Sequence, residues 1–327
     1  MIFDPNLKQF ASDYQRKVWQ IGTHIVPLDV SLINIIDSDT REGCTQFYNG
    51  IREIITDMYN NWEEYEPIKP SAMLLWSGLE QKNRKDQYRI ITDKLSKFGI
   101  VPDESGKRYT NKKYSMFDTC RELLLQAEGK IGHLRSGTAT MCCDFRILQR
   151  PFKPVIDDLI RPYSDVLKSY LKDLHNYVLS KGAKVETHEC FGRLRYKYKK
   201  FRVLVLELYA ENEPLIEIPY RLDNVIAMPS AFQSFIDEVE CQSDNNELIT
   251  YMQQNVDVCN GCGGQKKSYE RCGGMWAEIR GKRRRLATCH FGIGRGHYDR
   301  QKNPYIDEDI PMLKRMLDIR FAQIDNQ

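Results

Sequence analysis

Four cysteines gathered in one stretch constrain this chain more than any other feature. The segment runs Cys259-Asn260-Gly261-Cys262-Gly263-Gly264, then Cys272-Gly273-Gly274, and ends at Cys289-His290. A C-x-x-C spacing lets a tight turn aim two sulfurs at one centre. Glycine after the second cysteine accepts positive φ there and frees nearby N–H groups to face the thiolates. Gly273 repeats that arrangement after Cys272. Cys259, Cys262, Cys272 and Cys289 are therefore expected to close a tetrahedral four-sulfur zinc site, with His290 or His297 able to replace one thiol. A closed four-ligand shell leaves no position for an attacking water, so the expected zinc is structural.

Other readings of the same cysteines carry less weight. The second pair is not another C-x-x-C, so the pattern falls short of a double knuckle. An iron–sulfur cluster is the minority alternative for four thiolates. A redox dithiol at Cys259 and Cys262 is disfavoured, because such pairs open a helix on a βαβ scaffold, whereas these sit among glycines. Unmetallated thiols are the bland alternative. The other six of the ten cysteines, Cys44, Cys120, Cys142, Cys143, Cys190 and Cys241, are scattered and expected to be small buried hydrophobes.

Charge is unevenly distributed behind a net value of +3. Between Cys259 and Lys302 there are eleven Lys or Arg against three acids, and Arg193–Arg202 holds six cations and no acid. The rest of the chain is consequently acidic. In Arg193-Leu194-Arg195-Tyr196-Lys197-Tyr198-Lys199 cations and apolar residues alternate. As a strand this predicts Arg193, Arg195, Lys197 and Lys199 on one face, with Leu194, Tyr196 and Tyr198 in the core. Arg280-Gly281-Lys282-Arg283-Arg284-Arg285 forms a second basic cluster at an expected hairpin tip, beside Arg295 and His297. Converging, the two would make a polyanion-binding surface. The competing reading is an ordinary solvated sheet face, where Lys and Arg also discourage edge pairing.

Periodicity supplies the architecture. Phe10, Tyr14, Val18 and Ile21 predict a helix near 7–22, and Phe47, Ile51, Ile54, Ile55, Met58 and Trp62 a stronger one. Further helices are read at 72–79, 86–98 and 115–127, with Gly99 positioned to stop the second of them. After Pro151 and Pro154 a helical stretch over 155–180 is broken by Pro162. The period then changes to two, giving strands at 184–191, 193–198, 201–209 and 215–220. Helices near 230–240 and 246–254, a hairpin at 275–279 and 283–289 turning at Gly281-Lys282, and a last helix at 307–325 complete the chain. The order implies an α+β fold. A helical domain covers 1–150, and a second domain covers 151–327, with a mainly antiparallel sheet, flanking helices and a Cys-rich metal-binding segment at 255–302.

The function classes narrow accordingly. A hydrophobic fraction of 41% over 327 residues supports a folded core at two-domain length. There is no apolar run of about 18 residues, so no membrane helix is expected. The opening Met1-Ile2-Phe3-Asp4-Pro5 lacks the marks of a secretory leader, which favours a cytoplasmic protein. No catalytic residue can be named: Gly292, Gly294 and Gly296 fit neither dinucleotide nor P-loop spacing, and His188 and Cys190 share only a strand face. The expectation is a non-catalytic module for an anionic partner, nucleic acid first. Alternatives are a small-molecule or enzymatic domain with a pocket between the 184–220 sheet and its helices, or a protein-interaction module using the acidic helical half.

Overall fold

The computed structural model describes residues 2–7, 9–29, 37–67, 94–104, 109–129, 140, 142–148, 155–186, 192–208, 215–218, 229–241, 246–255, 275–286 and 309–326. It is an α+β protein that divides into two compact units. One is built on Met1–Asp165, the other on Val166–His188, Gly192–Tyr209 and Glu213–Gln327.

The first unit is mainly helical. Its elements are α1 (Asp13–His24), α2 (Ser38–Asn60), α3 (Trp62–Tyr65), a two-stranded sheet of β1 (Ile100–Pro102) and β2 (Tyr109–Asn111), α4 (Phe117–Gly129) and α5 (Ile156–Ile160). Ser12 caps α1, its Oγ accepting from the Gln15 amide at 3.0 Å, so the helix starts later than periodicity alone predicts. Asp37 caps α2 in the same way, accepting from the Thr40 amide at 2.9 Å. The stripe of Phe47, Ile51, Ile54, Ile55 and Met58 on α2 is fully buried, and α1 and α4 pack on it. Phe117 of α4 meets Phe47 with ring centroids 4.6 Å apart. That approach requires Gly50, where an added Cβ would lie 2.9 Å from the Phe117 ring.

His24 closes α1 inside this core. Its Nδ1 is 2.8 Å from the Gln20 carbonyl oxygen, which assigns the proton to Nδ1, and its ring meets Tyr163 edge-on at 5.4 Å. Nε2 is buried with no hydrogen bond among the described residues. Burial holds the His24 pKa down to about 4; the bond to Gln20 opposes that shift and Arg161 adds to it. An unfolded histidine titrates near 6.5, so on acidification the unfolded chain takes up a proton that the folded chain refuses until about pH 4. This group therefore leaves stability untouched above pH 6.5 and lowers it progressively between 6.5 and 4, by about 3 kcal/mol in full. Urea unfolding at pH 7.5 and pH 5 should show the loss, and His24→Gln should flatten it.

The second unit joins a sheet to helices. It opens on α6 (Asp165–Ser180), separated from α5 by the Pro162 break. Strands β3 (Lys184–Glu186), β4 (Arg193–Tyr198), β5 (Phe201–Glu207) and β6 (Leu215–Glu217) form an antiparallel sheet in sequence order. Then come α7 (Pro229–Cys241), α8 (Asn246–Asn255), a separate hairpin of β7 (Met275–Ile279) and β8 (Lys282–Leu286), and α9 (Asp309–Asp325).

α6 and α9 lie side by side, bridged by Lys314 to Asp173 at 2.7 Å and by the Tyr177 hydroxyl and Lys181 to Asp318 at 2.5 and 2.6 Å. Both reach the sheet. The fully buried Tyr196 of β4 has its hydroxyl 2.7 Å from His175 Nδ1 on α6, and Tyr198 meets Phe321 of α9 edge-on. No helix among the described residues is long and apolar enough to cross a membrane.

Candidate functional site

Cys259, Cys262, Cys272, Cys289, His290, Arg295 and His297 lie outside the described residues. Within them, no group of three His, Cys, Asp or Glu side chains gathers to hold a metal. What is described is the β7–β8 hairpin, which sits in the chain between Cys272 and Cys289.

The hairpin register runs from Met275↔Leu286 to Ile279↔Lys282. Its loop is Arg280-Gly281, with φ of +50° and +69°, the positive pair that a type I′ turn demands. The sequence reading set the turn one residue too late, at Gly281-Lys282. Gly281 supplies one positive φ in either frame; its turn partner is the residue before it. Moving the turn by one residue shifts each cross-strand pairing by two, so the cations of β8 keep their faces and change only their partners. Trp276, Glu278, Arg283 and Arg285 fall on one face by register, and Ala277, Ile279, Lys282 and Arg284 on the other.

Burial agrees with the β7 assignment. Ala277 and Ile279 are buried, whereas Trp276 is 52% exposed. The Arg283 guanidinium carbon lies 4.8 Å from the indole centroid, a cation–π contact in full view of solvent. Lys282 and Arg283 are both exposed. The sequence reading missed Trp276, although its parity opposite to Ala277 and Ile279 was the available signal.

Two residues anchor the hairpin. The Gln233 carboxamide of α7 imitates a neighbouring strand: its Nε2 donates to the Glu278 carbonyl at 3.0 Å and its Oε1 accepts from the Glu278 amide at 2.8 Å. The Arg280 amide donates to Glu240 at 2.7 Å, and its guanidinium donates to the Asn246 carbonyl at 3.0 Å and to Asn246 Oδ1 at 3.2 Å. Arg280 thus ties the turn to the α7–α8 junction.

The β4 cations sit in a different setting. Arg193 and Arg195 are half-buried, opposite Glu207 and Val205 of β5, with Glu186 of β3 also facing Arg195 across the ladder. Lys197 and Arg202 both lie 3.7 Å from Glu186. Along β4 the predicted alternation holds from Arg193 to Lys197, with Leu194 and Tyr196 buried between the cations, and the register shift in the ladder leaves Val203 of β5 unpaired. Lys199 leaves the strand altogether. It takes φ +50° in the turn, and its ammonium is 2.7 Å from Asp325 of α9. Their hydrogen bond holds the lysine pKa up and the carboxyl pKa down.

Comparison with family models, with curated proteins and with solved structures finds no match to this chain.

Replacing Gln233 by Ala removes both side-chain bonds to Glu278, each contributing about 1 kcal/mol. Hydrogen exchange at the Glu278 amide should accelerate about tenfold or more, while amides of the β3–β6 sheet keep their protection.

Proposed function

We propose that the chain is a non-catalytic module that binds an anionic partner, nucleic acid first, through the hairpin face carrying Trp276 and Arg283. The observation that carries this reading is the exposed indole with a guanidinium over it on an anchored hairpin whose tip is basic. Each part has a role. A base stacking on an aromatic side chain is worth about 1–3 kcal/mol, independent of its identity. Guanidinium groups pair with phosphate through their fork of donors, and Lys282 adds a second exposed cation beside the turn. In this reading Arg193, Arg195, Arg284, Arg285 and Arg295 add positive charge to the same unit, while Lys197 and Lys199 are taken up by Glu186 and Asp325. Tyr196 and Tyr198 are committed to the helices and take no part.

A structural zinc held by Cys259, Cys262, Cys272 and Cys289 completes the proposal. The hairpin register supports it: three residues outward from the pair Met275↔Leu286, the count reaches Cys272 on one strand and Cys289 on the other. Cross-strand partners have Cα atoms about 4.5–5.5 Å apart, and three residues span at most about 10 Å. Cysteines equidistant from such a pair are well disposed to share one ion. Zinc at that place would brace the open end of the hairpin while the turn braces the closed end. Iron–sulfur ligation is the alternative for the same four thiolates.

Fluorescence anisotropy of a labelled single-stranded RNA of mixed sequence tests the binding reading. Affinity should fall linearly on a log–log plot against salt, and Arg283→Ala should reduce the slope by about 0.7. Trp276→Ala should weaken binding about tenfold and leave the slope unchanged. Absence of binding at low salt would overturn the reading. For the metal, elemental analysis of the purified chain should give about one zinc per molecule, lost in Cys262→Ser. Iron, or no metal, would remove the zinc.

A further inference from the structure

The first unit carries a cleft that has no part in the reading above. Along α2, Asn49, Arg52, Glu53, Thr56, Asp57 and Asn60 recur at the three- and four-residue steps that line one helix face, and all six line the cleft. The stripe is about 16 Å long by helix geometry. Lys97 and Phe98, from the short 3-10 turn Ser96–Phe98, and Lys113 and Tyr114, just after β2, form the rest of the lining. The cleft measures about 750 Å³, within the range of small-molecule sites.

Its lining is fixed by close backbone packing. Gly99 has φ +79°, and a Cβ there would lie 2.5 Å from the Lys113 amide nitrogen, so only glycine lets the two segments meet. The Lys112 amide donates to the Gly99 carbonyl at 2.6 Å, and Asn111 Oδ1 accepts from the Lys113 and Tyr114 amides, both at 2.9 Å. The Tyr114 hydroxyl donates to Glu53 at 2.9 Å.

The charges inside are unequally committed. Both Glu53 oxygens accept from the Lys113 ammonium, at 2.9 and 2.7 Å. Asp57 is 2.6 Å from the Lys97 ammonium and also accepts from Asn61 and from the Tyr65 hydroxyl. Each carboxylate is therefore matched by a lysine, and the Arg52 charge is in surplus. Arg52 is exposed and makes no hydrogen bond or ion pair among the described residues. Asn49 lies three residues before it and Thr56 four residues after it on the same face, and their side chains are likewise uncommitted there.

We propose that this cleft binds a small phosphorylated molecule, with Arg52 gripping the phosphate and Asn49 and Thr56 hydrogen-bonding its remaining oxygens. A guanidinium fork satisfies a carboxylate by itself, whereas a phosphate has further oxygens that call for the additional donors this stripe supplies. Lys97 and Lys113 are held by Asp57 and Glu53, so the anion's charge falls to Arg52 and its remaining oxygens to the neutral donors. The volume exceeds that of a free phosphate and leaves room for a body beside Tyr114 and Asn60.

The experiment is calorimetric titration of the full chain with inorganic phosphate and with adenosine monophosphate at low salt, acetate serving as the monoanionic control. Both phosphates should bind and acetate should not. Arg52→Gln should weaken phosphate binding tenfold or more, Arg52→Lys should restore part of it, and the thermal midpoint of each variant should match that of the parent. Arg283→Gln should leave phosphate binding unchanged, and Arg52→Gln should leave RNA binding unchanged, which keeps this site distinguishable from the hairpin. Absence of phosphate binding, acetate binding of equal strength, indifference to Arg52→Gln, or loss in Arg283→Gln would each overturn the proposal.

Discussion

Two consecutive left-handed backbone conformations, at Arg280 and Gly281, govern the most informative part of this molecule. They close β7 on β8 in two residues and so fix the register of the ladder. Register in turn decides that Trp276 and Arg283 share the exposed face, and that the last described pair lies three residues along the chain from Cys272 and three from Cys289. Glycine adopts the left-handed region freely; an arginine there costs about 1–2 kcal/mol. Arg280 is held in it by its own bonds, the amide to Glu240 and the guanidinium to Asn246. An arginine that composition assigns to the ligand surface is thus first a clamp on the turn that builds that surface.

The same distinction separates the other cations. Lys199 is bound to Asp325, and Lys197 and Arg202 converge on Glu186. Exposed pairs of this kind contribute only about 0–1 kcal/mol to stability. Their larger consequence is that they occupy charges that counting along the sequence treats as equivalent. In the first unit, pairing of Glu53 and Asp57 with lysines leaves Arg52 as the uncompensated charge of the α2 cleft. In both units the candidate ligand contact is the cation left over once the fold has taken what it needs.

What could be read from the sequence was what local physics dictates. The α2 stripe, the helix break at Pro162 and the left-handed Gly99 follow from periodicity and backbone sterics, and the structure contains each of them. Features set by contacts between distant segments were not legible. The register shift at Tyr196–Lys197 arises from pairing with β5, so an alternating pattern could not reveal it. The hairpin turn was ambiguous because both candidate dipeptides contain Gly281, and Arg280 wins through contacts with α7 and α8. The α2 cleft depends on the approach of Gly99 to Lys113, across a turn and a strand pair. For the cysteine segment the order is reversed: spacing names the four thiolates, and the neighbouring ladder then supplies a geometric reason for two of them to meet.

That convergence is the central claim, and X-ray absorption fine structure at the zinc edge of the purified chain measures it directly. The account predicts a shell of four sulfur scatterers at about 2.3 Å, falling to three in Cys272→Ser and again in Cys289→Ser. A shell dominated by nitrogen or oxygen, or one indifferent to both substitutions, would contradict it.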